Sequence, residues 1–185
     1  MLAESALIVF SVLLALAVDQ WRDARSHRQL ADTAHQEILE ELRANRASVA
    51  EALQYHSALM DSLAAYRDQN GVPSARLFSR GFISPAQVSG TAWESASETG
   101  ALTHMDYAVV LRLSRVYAQQ DRYAEQNRSF GEVLYSEIYR GGLTSVVENH
   151  RNLASIIGTF RYREGELLDL YDQTLSALPA PQRAR

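Results

Sequence analysis

No glycine or proline interrupts the chain between Asp19 and Gln69. Ala, Leu, Glu, Arg and Gln dominate that stretch, and these residues give up little side-chain freedom in a helix. Apolar residues recur at Leu30, Ala34, Ile38, Leu42, Val49, Leu53, Met60 and Leu63, in gaps of three, four and seven. That is one helical stripe. Leu42, Val49, His56 and Leu63 keep a strict seven-residue spacing, while Asn45 and Arg46 interrupt the flanking positions. The spacing predicts a helix over 22–69, about 50 residues and ~75 Å long. A helix of that length must cover its stripe with other helices, from its own chain or from another.

Upstream lies an apolar run, Ala6 to Val18, broken only by Ser11 and followed by Asp19, Gln20, Trp21, Arg22, Arg25 and Arg28. An apolar run with an interfacial Trp and a basic flank is the pattern of a membrane-anchoring helix. The run itself is about 13 residues, ~20 Å as a helix. Counted from Met1 it is about 18 residues and ~27 Å, against a hydrocarbon core of about 30 Å. Residues 1–21 are therefore read as a transmembrane anchor, with Trp21, Arg22, Arg25 and Arg28 at the membrane interface. Two alternatives compete. A cleaved signal peptide would use the Ala15-Leu16-Ala17 site, but no Arg or Lys precedes the run. A buried core helix would suit a short run, but this one is apolar on all faces. Three Arg after the span and none before it put the body in the cytoplasm by the positive-inside rule.

The remaining breaks divide 22–182 into a helical bundle. Asn70-Gly71-Val72-Pro73 ends the long helix. Ser74 to Ile83 reads as a loop in which Phe78, Arg80 and Phe82 form a candidate partner contact, the alternative being that both rings close the end of the core. Ser84-Pro85-Ala86-Gln87 has the form of a helix start, and Thr91-Ala92-Trp93-Glu94 repeats the capping-box spacing, so a short helix is placed at 85–99 with Gly100 as its cap. Trp93 is a fourth candidate contact, or else the residue that fixes this helix to the bundle. The next helix, 104–140, carries Val109, Leu113, Val116, Tyr123, Phe130, Leu134 and Ile138 on one side and has a very polar middle. Gly141-Gly142 breaks it, and Ser145-Val146-Val147-Glu148 caps a last helix over 146–178. Pro179 and Pro181 stop that helix, and 183–185 is a frayed tail. No stretch alternates like a strand. The fold class is all-α: an N-terminal span continuing into a long helix, packed with further helices as an elongated antiparallel bundle.

Composition narrows the chemistry. All 18 basic residues are Arg, so Schiff-base and phosphate-loop lysine chemistry are excluded. The net charge of −4 gives nucleic-acid binding no electrostatic support. Cysteine is absent, which removes disulfides, thiolate nucleophiles and Cys-ligated metals. The five histidines are His27, His35, His56, His104 and His150, spread along the chain. His56 and His150 fall on apolar stripes, where a hydrogen-bonded core residue is the ordinary explanation. Glu-x-x-His, His-Glu-x-x-His and G-x-S-x-G are all missing. Glu37, Glu40 and Glu41 read as a solvated helix face. No catalytic, cofactor-binding or metal-binding residue is assigned, and no cofactor is expected.

The stretch ESALIVFSVLLALAVDQWRD (Glu4 to Asp23), then a long charged helix, then TAWESASETGAL (Thr91 to Leu102) leading into a helix with Tyr117, resembles a family of uncharacterised bacterial membrane proteins known as a domain of unknown function. Trp21 matches that family's Trp after the span, and Trp93, Glu94, Gly100 and Leu102 match its second motif. The resemblance implies a retained anchor rather than a cleaved signal, in the bacterial inner membrane. It also implies a body outside the cytoplasm, against the charge count, so the side stays open. The expected function is a non-catalytic single-pass scaffold, accessory or assembly subunit of a larger membrane complex, for example photosynthetic or respiratory. Its expected partners are membrane lipid and other membrane subunits, or a second copy of itself. The alternative is an anchored sensory or ligand-binding domain.

Overall fold

The structure, a computed structural model, describes the backbone of residues 2–69 and 71–178 and the side chains of these except 2–9 and 75. The expected stops at Pro179 and Pro181, and the 183–185 tail, lie outside the described residues. α1 runs from Leu2 to Asp68 without a break, so the apolar run and the long helix are one element. A 3₁₀ turn at Ala75–Phe78 follows. Then come α2, Thr91–Glu98, a second 3₁₀ turn at Ala101–His104, α3, Tyr107–Glu148, and α4, His150–Ala177. There are no strands among the described residues.

Cross-contacts fix the directions. Arg46 meets Asp172 and His56 meets Glu164, so α1 and α4 are antiparallel. Tyr171 meets Gln120 and Tyr123 meets Glu164, so α3 and α4 are antiparallel too. Glu41 meets Tyr117 and Asn45 meets Gln120, which leaves α1 and α3 parallel. The segment between them makes this possible. From Gly81, bonded to Tyr55, to His104, stacked on His27, the chain runs back along α1. It does so as an extended strap over 83–90, then α2, then the 3₁₀ turn. The bundle is therefore up-down-up-down, with the strap and α2 in place of a long second helix.

The expected helix start at Ser84 does not form. An extended strap exposes its backbone N–H groups, and three of them are taken by side chains. His56 Nε2 accepts from Ser84 N–H at 3.1 Å, the Tyr123 hydroxyl from Ala86 N–H at 2.8 Å, and Asn45 Oδ1 from Ser89 N–H at 2.9 Å. These bonds replace the helical ladder that the Ser-Pro-Ala-Gln sequence would otherwise start. α2 begins only at Thr91, and its free amide at Ala92 donates to Glu41 of α1 at 3.0 Å. A carboxylate at a helix N-terminus is favoured by the aligned peptide dipoles.

The turn between α3 and α4 also differs from expectation. Gly142 sits at φ 70°, ψ −177°, a conformation open to Gly alone, but the chain regains helical geometry at once and α3 continues to Glu148. The helix is thus broken at Gly142 as the Gly141-Gly142 pair predicts, and a second break at Asn149 makes the last helix start at His150 rather than at 146. Ser145 does not cap a helix; its hydroxyl donates to Glu137.

The core has two parts. One gathers Ile38, Leu39, Leu42, Val49, Leu113, Val116, Phe160, Leu167 and Tyr171. The other, toward the α3–α4 turn, gathers Leu59, Leu63, Phe78, Leu134, Val146, Leu153 and Ile157. Ala31 is the first buried residue of α1 among those whose side chains are described. Before it, His27 still stacks on His104, and the described residues 10–30 are all exposed.

Candidate functional site

Every described residue of α1 from Phe10 to Leu30 is exposed. Phe10, Val12, Leu13, Leu14, Leu16 and Val18 are 47–64 % exposed, on all sides of the helix, and Trp21 is 62 % exposed. Isolated soluble chains seldom leave such an apolar surface contiguous and uncovered. Among the described residues no helix is long and apolar enough to cross a membrane. The expected anchor at 1–21 takes its first half from residues 1–9, whose side chains lie outside the described ones.

The four expected interface residues stand just beyond this run. The Arg25 guanidinium lies 5.7 Å from the centre of the Trp21 ring, a cation–π contact. The ion pairs among the described residues involve Arg46, Arg67, Arg80, Arg163 and His56. Arg22, Arg25 and Arg28 belong to none of them.

Of the second set of candidates, Phe78 and Phe82 are in ring contact, while Arg80 and Trp93 have other ring partners. Phe78 is buried and packs on Phe82 at 4.8 Å, in the core beside Leu59 and Leu63. Arg80 stays exposed, 5.1 Å over the Tyr55 ring and paired with Glu51 at 3.1 Å. Trp93 lies at the other end of the strap, stacked on Tyr117 at 5.0 Å. The two phenylalanines thus close the end of the core, and Trp93 holds α2 on α3.

A buried polar spine runs through the bundle that sequence spacing did not assign. At its centre, His56 and Glu164 are both fully buried. Ser84 N–H must donate to His56 Nε2, so Nδ1 carries the ring proton and donates to the Glu164 carboxylate at 2.9–3.0 Å. Tyr123 donates its hydroxyl to the same carboxylate at 2.8 Å. One layer down, the Asn45 amide holds Ser89 by both its N–H and its C=O, at 2.9 and 2.7 Å. Gln120 bonds Ser89 C=O and accepts from Asn45 and from the Tyr171 hydroxyl. A third layer joins Glu41 to the Tyr117 hydroxyl at 2.7 Å and to Ser89 Oγ. Burial, reinforced by Glu41 or Glu164, pushes the pKa values of Tyr117, Tyr123 and Tyr171 far above the ordinary phenol value. All three therefore remain hydroxyl donors at any physiological pH.

The spine's reactive group types are each spent on a bond inside the protein. No group of three or more His, Cys, Asp or Glu among the described residues is placed to hold a metal ion. One open polar groove of about 300 Å³ lies on the outer side of the strap, between Glu51, Tyr55, Arg80, Ser84 and Gln87. Compared with protein-family models, curated proteins and solved structures, the chain shows no significant match to any of them.

Proposed function

We propose that the chain is a non-catalytic membrane-anchored protein. Its N-terminal helix holds a rigid bundle against a bilayer, where the bundle serves as a scaffold, accessory or assembly subunit of a larger membrane complex. The observation that carries this reading is the apolar surface of Phe10–Val18, uncovered on every side of a helix that has left its own core. A bilayer covers such a surface all round; a partner helix covers one stripe. The internal bonding of the polar spine supports a structural body, because its His, Glu and Tyr groups bond to one another, to Gln120 and to the strap.

The open polar groove beside Arg80 favours a second reading, an anchored ligand-binding domain. Purification of the full chain from native membranes in mild detergent, through a C-terminal tag, separates the two. Stoichiometric recovery with one large complex is expected of an accessory subunit. Recovery alone, as a monomer or small homo-oligomer, would sink that reading and leave the ligand-binding one.

A further inference from the structure

The base of the projecting helix is divided by charge. At about 100° per residue, Trp21, Arg22, Arg25 and Arg28 fall within roughly 120° of one another, and Asp19 and Asp23 fall on the opposite part of the helix. His27, stacked on His104, and Ala31, the first buried residue, mark the side turned to the bundle. Arg22 and Arg25 are turned away from it, and Arg28 lies to one flank. None of the three guanidiniums has a carboxylate partner among the described residues.

We propose that this face binds anionic phospholipid headgroups, so that the protein collects negatively charged lipid around its anchor. The inference rests on the membrane reading above and names the lipid class. Charge complementarity selects the occupant, and depth selects the headgroup over an acidic protein. Arg22 lies about 6 Å beyond Val18 along the helix, Arg25 about 10 Å and Arg28 about 15 Å. A headgroup layer is about 5–8 Å thick, so the Arg22 backbone sits within it and that of Arg25 a few ångströms outside, within reach of the headgroups by its long side chain. Arg28 lies beyond, within reach of the surface potential. Trp21 shares the face at the depth where interfacial rings settle. A basic residue at an anionic surface contributes about 1 kcal/mol, or about fivefold, and the effect should fall in the order Arg22, Arg25, Arg28.

The test is lipid-specific quenching of Trp21. The full chain carrying Trp93→Phe, which leaves Trp21 the sole indole, is reconstituted in mixed phosphatidylcholine and phosphatidylglycerol bilayers. One lipid or the other is brominated at equal mole fraction. The expected result is a relative association constant about threefold or more in favour of phosphatidylglycerol, lost in R22Q/R25Q/R28Q and weakened at high salt. Equal quenching by both lipids would overturn the proposal and leave the anchor reading standing. An equal preference in the parent and the triple variant would overturn it as well. No quenching by either lipid would overturn the proposal and the anchor reading together.

Discussion

His56 Nδ1 donates to Glu164 across 2.9 Å, joining α1 to α4 between two side chains with no solvent exposure. The same imidazole accepts from the strap at Ser84 through its other nitrogen. One ring thus ties three chain segments, and its tautomer is fixed by a backbone N–H that can only donate.

Removing Glu164 should be costly. Glu164→Leu strands the His56 and Tyr123 donors inside the core and is expected to lower unfolding free energy by about 3–5 kcal/mol. Glu164→Gln keeps an acceptor oxygen and should lose less. Urea denaturation of the two variants checks the order, and a Gln variant as unstable as the Leu variant would contradict this account of the bonds.

The Asn45 clamp should act on the strap. Asn45→Leu removes both bonds to Ser89 and is expected to cost about 1–3 kcal/mol. It should also raise amide exchange at Ser89 and Ala86 more than in the middle of α4. Hydrogen-exchange mass spectrometry resolves the two regions.

Acid should weaken the fold through His35. Its Nε2 is buried with no hydrogen-bond partner in the protein. Desolvation lowers its pKa below the ordinary 6.5, against a smaller upward pull from Asp32. The folded state therefore takes up its proton later than the unfolded state as pH falls. The unfolded chain binds more protons in that window, so stability drops as pH falls below 6.5. His35→Gln is expected to flatten the difference between urea midpoints at pH 7.5 and pH 5.5, and an unchanged difference would rule His35 out as its source.

Gly142 holds the kink in α3. Its φ of 70° with an extended ψ penalises any side chain, although a Cβ there would meet no neighbouring atom. Gly142→Ala is expected to cost about 1–3 kcal/mol and to lower the thermal midpoint without changing helix content by circular dichroism.

Much of this bundle could be read from the chain. Ile38 and the seven-residue series Leu42, Val49, His56, Leu63 are buried as the spacing predicts, while Leu53 and Met60 of the same stripe are half-buried and Leu30 is exposed. His56 proved a hydrogen-bonded core residue, as a lone histidine on such a stripe should. Local patterns failed where distant side chains compete with them. Ser84-Pro85-Ala86-Gln87 carries a helix-start signature, yet His56 and Tyr123 take the amides of Ser84 and Ala86, and Asn45 takes that of Ser89 just beyond. Glu164 lies between Phe160 and Leu167 on the α4 stripe, and Asn45 and Gln120 interrupt other apolar faces. Polar residues at core positions were the available signal for the spine, but their partners are 108 residues apart for His56–Glu164 and 75 for Asn45–Gln120. No periodicity encodes such a pairing.

The anchor is tested most directly by membrane fractionation of the full chain with an alkaline carbonate wash and flotation. The account predicts that the protein stays with the floated membranes after the wash, and that Leu13→Arg/Leu16→Arg shifts it to the supernatant while leaving the bundle's helix content intact. Complete release of the unaltered chain by carbonate would contradict the account, and would make the exposed Phe10–Val18 surface a seat for another protein.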